Sequence, residues 1–362
     1  MASTAIRLAV GWGAVLLFAL AGPTLFAAAG DGWGNLPVFL GLLGVIMWSA
    51  FGVVGEADHL AEMLGEPLGT LVLTLSIVLI EVALIGAVML SGAEPTLGRD
   101  TMFAVLMIVL NGVVGLALLL GGWRYHVQSY NFQGATSFLA VILPLTVVTL
   151  ILPNFTRSTP GGTLSLGQEI AFTIFTLALY GTFLALQTGR HRDFFIGPED
   201  GAAAHHDTPV TRRAIATRTG LLLASVLPVV LLAKQLAKVL DKGIHALGAP
   251  PALGGVTIAV IVFTPEAIAA LRAVNLNKLQ RTVNLCLGAA ASTIGLTVPV
   301  VLALAAATSQ NIVLGLDPAE MVLLVLTLVL NLLTFTSRRT TVLHGAMHLM
   351  VFAVYLTLIF NP

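Results

Sequence analysis

The sequence predicts an all-α polytopic membrane protein of about eleven transmembrane helices, built as two inverted five-helix repeats after one extra N-terminal helix. Three observations predict it. Of 362 residues, 57% are hydrophobic and only 9% charged, with a mean hydropathy of +0.98, whereas in soluble domains about a quarter of residues are charged. Apolar runs of about 20 residues, each long enough to cross a hydrocarbon core of roughly 30 Å, recur along the whole chain. One long polar loop, 190–217, leaves five runs after it and five before it, not counting the first. A unit with an odd number of crossings inverts the unit that follows it.

The runs lie near 6–29, 34–54, 68–91, 102–122, 133–153, 167–189, 218–240, 252–273, 282–307, 319–337 and 341–360. The first follows a lone Arg7 and ends in small residues, as a secretory signal does, but its apolar stretch is long for one and reads as a retained helix. Residues 1–33 are therefore set apart as an extra helix, with 34–189 the first repeat, 190–217 a cytoplasmic loop and 218–362 the second repeat. After the second run comes EADHLAEMLGEP, with Glu56, Asp58, Glu62 and Glu66, read as a solvated interfacial helix. The loop holds His205 and His206 beside Glu199, Asp200 and Asp207, and its polarity reads as a linker. The single cysteine, Cys286, excludes an intrachain disulfide.

Basic residues orient the helices. Twelve of the 17 Lys and Arg, among them Arg7, Arg124, Arg190, Arg212, Arg213 and Arg338, fall on one side of the predicted spans. That bias places the amino terminus and the long loop in the cytoplasm and the carboxyl terminus outside. Lys234 and Lys238 are expected to snorkel to the outer surface. The formal net charge is zero, so nothing suggests nucleic acid as a partner.

Two of the acidic residues fall in the middle of spans, Glu81 in PLGTLVLTLSIVLIEVALIGAVML and Glu266 in ALGGVTIAVIVFTPEAIAALRAV. A central acid costs about 2.5 to 3.5 kcal/mol on insertion, so a functional group facing protein or water is expected. The two segments align: Leu68 and Gly69 precede Glu81 as Leu253 and Gly254 precede Glu266. Twelve residues at 1.5 Å each put both carboxylates about 18 Å from their helix starts, near the midplane, approached from opposite sides. Two carboxylates brought together in a dry interior stay ionised only if a cation joins them; otherwise a proton neutralises one. Cation and proton then compete for the same oxygens, which is the minimal chemistry of a cation/proton antiporter. No cofactor is implied beyond the transported ions.

Neighbouring oxygens are candidates to line such a site. Pro265 deprives the carbonyl of Ile261 of its helical donor, beside Thr264. Thr74 lies two turns before Glu81. Asn111 is an amide in the middle of the next span, and Ser292 and Thr293 hold the corresponding place in the second repeat. Hard cations such as Ca²⁺ take oxygen ligands of these kinds. His344 and His348, one turn apart without a third ligand, read as helix packing.

GEPLGTLVLTLSIVLIEVALIGAVMLSG, LNGVVGLALLLGGWRYHVQSYN and FTPEAIAALRAVNLNKLQRTVNLCLGAAASTIGLTVP resemble the bacterial Cha-type calcium (sodium, potassium)/proton antiporters of the calcium/cation antiporter superfamily. The resemblance covers about 34–360. It implies an inverted pair of five-helix repeats, each giving one glutamate, here Glu81 and Glu266, to a central cation site. It also matches Asn111 to the asparagine of the helix after the first glutamate. Where related exchangers carry Gly-Asn-Ala-x-Glu, this chain has VLIE and FTPE, a departure that bears on ion selectivity. The expected partners are the lipid bilayer, transported Ca²⁺, Na⁺ or K⁺, and protons; a homo-oligomer is compatible with the plan.

Two other classes fit less well. A membrane-embedded enzyme or proton-translocating subunit calls for a Ser/His or Asp pair, or a chain of buried ionisable groups, at mid-depth, and only two such groups are seen. A cation channel could use paired carboxylates, but inverted repeats imply coupled exchange.

Overall fold

The computed structural model describes residues 2–29, 32–64, 76, 78–86, 95–196, 212–250, 252–308, 312–337 and 339–361. Ten helices among them are long and apolar enough to cross a membrane. They match the sequence spans except the third, of which only part is described, and that part, 78–86, is helical. Thr74, Leu68, Gly69, Glu66 and, in the long loop, Glu199, Asp200, His205, His206 and Asp207 lie outside the described residues. The protein is an all-α polytopic membrane protein.

The chain forms two compact units, Met1–Leu97 with Thr208–Val262, and Gly98–Asp207 with Phe263–Pro362. The first holds α1 (Ala2–Ala29), α2 (Leu36–Leu64), α3 (78–86), α8 (Arg212–Leu247) and the start of α9 (Ala252–Asn275). Here α1, α2 and α8 pack together. Gly11 admits Pro228 and Ser49 so closely that a Cβ at that position would stand 3.2 and 3.3 Å from them. At one end Glu56 takes hydrogen bonds from Thr4 Oγ1 and Arg218 Nη1, each 2.8 Å. On the outer face Leu223, Leu227 and Leu231 form an exposed apolar stripe at helical spacing, suited to lipid.

The second unit holds α4 (Leu97–Met107) from Gly98 on, α5 (Val114–Tyr125), α6 (Phe132–Thr146), α7 (Leu166–Ala185), the rest of α9, α10 (Leu279–Ser292), α11 (Val298–Thr308), α12 (Pro318–Thr336) and α13 (Val342–Phe360). Helices α4 and α5 are one span interrupted by a π turn, Ile108–Val113; α10 and α11 are another, interrupted at Thr293–Thr297. Ile108 precedes Thr293 by the same interval as Glu81 precedes Glu266, so the structure repeats where the sequence does.

Small residues set the closest packing. A Cβ at Gly115 of α5 would lie 2.9 Å from His348 Cβ, and one at Gly122 would lie 2.7 Å from the Val342 amide nitrogen, so α5 and α13 meet backbone to backbone. A two-residue antiparallel ladder, Gln128–Ser129 with Arg339–Thr340, joins the segment after α5 to the one before α13. Beside it Tyr130, 6% exposed, donates from its hydroxyl to the carbonyl of Ser337. Burial pushes this phenol up to about 12, so it stays a donor at neutral pH.

Candidate functional site

In the first unit Glu81 is 2% exposed. It shares the buried face of α3 with Val78, Leu84 and Ile85, while Leu79 on the other side is 44% exposed. The carboxyl therefore faces protein, as its insertion cost requires. Ser76, one and a half turns before it, is also buried.

In the second unit Glu266 is 3% exposed, on a face of α9 with Phe263, Ala270 and Ala273. Helix α9 runs unbroken through Pro265. A proline has no amide hydrogen, so the Ile261 carbonyl, buried one turn earlier, lacks its usual donor. Pro265 itself is buried and Thr264 half-buried.

Helix α10 forms a wall beside Glu266, because a tight turn returns the chain on itself. Asn277 in that turn has φ 61°, and its side-chain oxygen accepts from Gln128 Nε2 at 2.8 Å. Thr282 Oγ1 then donates to the Ala270 carbonyl at 2.8 Å, fixing α10 on α9. Cys286, one turn after Thr282 on α10, is fully buried.

The candidate lining residues separate into groups. Ser292 donates to the Ala289 carbonyl of its own helix at 3.0 Å, the back-bonding common to serine in membrane helices. Thr293 is buried and opens the π turn between α10 and α11. Asn111 is fully buried in the first π turn and bonds across helices: its Nδ2 donates to Thr327 Oγ1 of α12 at 2.8 Å, and its Oδ1 lies 3.2 Å from His348 Nδ1 of α13.

Sequence reasoning missed the polar stripe behind Asn111. Thr327, Asn331 and Thr334 lie on one face of α12, all fully buried, and Thr334 Oγ1 stands 3.0 Å from His348 Nε2. Their spacing of four and three residues inside an apolar run was the available signal. His348, read as helix packing, is completely buried and joins three helices. Arg99 was missed as well: at 6% exposure it donates to Asp100 Oδ1 at 2.8 Å and to the Gly315 carbonyl at 2.7 Å.

Chemically, each repeat supplies one buried mid-helix carboxyl, among apolar neighbours and hydroxyl, amide or carbonyl oxygens. A group of this kind in a low-dielectric interior carries either a proton or a cation.

The family model described as sodium/calcium exchanger protein matches residues 35–189 and 217–361, leaving out the first helix and the long loop. The chain is 44% identical over 319 residues to y4hA of Sinorhizobium fredii, covering 87% of this chain and 86% of that protein. It is 39% identical over 341 residues to the sodium-potassium/proton antiporter ChaA of Escherichia coli, covering 91% and 92%. Among solved structures it is similar to native YfkE, at a TM-score of 0.75 and 16% identity over 99% of this chain and all of that one.

Proposed function

The chain belongs to the sodium/calcium exchanger protein family, and on that premise we propose that it is a secondary active cation/proton antiporter that exports Ca²⁺, with Na⁺ or K⁺ as further substrates, in exchange for protons by alternating access. It is a transporter, not an enzyme. The observation that carries the reading is the pair Glu81 and Glu266, each buried at mid-helix and each at the matching position of its repeat. In this reading the two carboxylates bind one cation or take up protons. Oxygens from Thr74, Asn111, Ile261, Thr264, Ser292 and Thr293 line the path, with Pro265 freeing the Ile261 carbonyl.

Oxygen-only ligation supports hard cations, and two carboxylates match a divalent charge. The 39% identity to ChaA, a sodium-potassium/proton antiporter, supports monovalent exchange as well. The relatives are bacterial and the basic residues cluster on one side of the spans, which supports an inner-membrane location with the amino terminus cytoplasmic and the carboxyl terminus outside. A homo-oligomer remains compatible with this reading.

Everted vesicles test it. Addition of Ca²⁺ or Na⁺ to energised vesicles should release accumulated protons, and Glu81→Gln or Glu266→Gln should abolish the response while the protein remains in the membrane. Exchange of normal size in either variant would overturn the site.

A further inference from the structure

The structure assigns His348 a positioning role in transport: its imidazole locks the Asn111 amide, and with it the π turn Ile108–Val113 that packs on the helix beside Glu266. This rests on the antiport reading above for its functional consequence, but its geometry stands apart from it.

The amide fixes the imidazole's protons. Asn111 Nδ2 donates to Thr327 Oγ1 at 2.8 Å and lies 3.7 Å from Met107 Sδ, so its oxygen is the atom that faces His348. A carbonyl oxygen only accepts, hence His348 Nδ1 carries the hydrogen. Nε2 is then the acceptor for the Thr334 hydroxyl at 3.0 Å. The ring is thus a neutral Nδ1–H tautomer with both nitrogens used, and it is fully buried.

The lock holds an uncommon piece of backbone. Of the four π turns among the described residues, Ile108–Val113, Val147–Ile151, Leu186–Arg190 and Thr293–Thr297, this one has a fully buried asparagine amide at its centre. This one touches α13 through His348 and through Gly112, where a Cβ would lie 3.3 Å from the Phe352 ring. It also packs on α10, which Thr282 ties to α9 at the Ala270 carbonyl, one turn after Glu266. Releasing the Asn111 amide leaves a buried polar group unsatisfied and frees the turn to relax, moving the wall beside the carboxyl. In the register that pairs Glu81 with Glu266, Asn111 falls on Leu296, three residues past the Ser292 and Thr293 place expected from the sequence, and a leucine has no amide to lock.

Substitutions separate the two ring nitrogens. His348→Asn puts an amide donor near Nδ1 and keeps the bond to Asn111, whereas His348→Gln reaches toward Thr334 and loses it. In reconstituted vesicles His348→Asn should keep the cation KM within about twofold, while His348→Gln and His348→Leu raise it about tenfold, the scale of one lost buried hydrogen bond, at unchanged maximal rate. The pH profile should be the same in His348→Asn as in the parent. Equal effects of all three substitutions, or a shifted pH profile in His348→Asn, would overturn the assignment, the latter because it marks a titrating group.

Nitrogen-15 spectra of histidine-labelled protein in liposomes give a readout that needs neither transport nor the Gln and Leu variants. The resonance lost in His348→Asn should be a neutral Nδ1–H tautomer at about pH 6 and about pH 8, and should change tautomer in Asn111→Leu. An Nε2–H tautomer or an imidazolium in the parent would overturn the lock. Glu266→Gln in the same vesicles tells the two claims apart: surviving exchange there defeats the antiport site and leaves the tautomer result standing.

Discussion

The third spans of the two repeats, α4–α5 and α10–α11, break at the same register into a π turn, yet they are held by different chemistry. In the first, the centre of the turn is Asn111, bound by Thr327 and His348. In the second the matching residue is Leu296, and the hold comes from Gly295, against which the Tyr180 ring of α7 packs so tightly that a Cβ there would lie 2.5 Å from Cγ. The starts differ too: Arg99, buried against Asp100, answers Asn284, which donates to the Phe195 carbonyl at 2.7 Å. Inverted repeats thus preserve backbone form and the position of one carboxyl. The forces that brace the form are free to diverge, polar on one side and aromatic on the other.

The comparison can be broken where the repeats are expected to be equal. Glu81→Gln and Glu266→Gln should each cut exchange by about 100-fold or more, the scale of removing one partner from a buried charged site, as measured by cation-induced proton release. A large loss in one and none in the other would show that the halves differ in chemistry as well as in bracing.

It can be sharpened where they are expected to differ. Arg99→Gln removes a cation from between Asp100 and the Gly315 carbonyl and should cost about 3 kcal/mol in thermal unfolding. Asn284→Leu, at the matching place, loses two neutral bonds, the one to the Phe195 carbonyl and the one from Gln280 Nε2, and should cost about 2 kcal/mol. Gly295→Ala should destabilise by about 1–3 kcal/mol through the clash with Tyr180, again by thermal unfolding.

The smallest effect is at Tyr130, outside the spans. Its folded value, about 12, lies above its ordinary one, so the folded state keeps the proton longer than the unfolded chain does. Stability from this phenol is complete below the unfolded value near 10 and is lost as pH rises through about 12. Tyr130→Phe should cost about 1 kcal/mol at neutral pH and remove that alkaline loss.

Much of this was legible in the sequence. Span positions follow from the length of apolar runs, and the burial of Glu81 and Glu266 follows from the cost of a carboxyl in lipid. The resemblance places the chain in its family from sequence motifs alone. The π turns were not legible, because the extra residue in such a turn leaves an apolar run looking like any α-helix. Nor was the partner of Asn111: His348 stands 237 residues away, and nothing local distinguishes a histidine that bonds across helices from one that merely fills space. Ser292 was legible only in its place in the repeat: that its hydroxyl donates to the Ala289 carbonyl, leaving its lone pairs to accept, is seen only in the folded helix.

The most direct test of the central claim is proton release on cation binding by the purified protein in weakly buffered detergent solution. Protons and cation compete for the same carboxylates, so Ca²⁺ should release protons and its affinity should fall as pH falls, with both effects lost in Glu81→Gln and in Glu266→Gln. Ca²⁺ binding with no proton release and the same affinity at about pH 6 and about pH 8 would contradict the account.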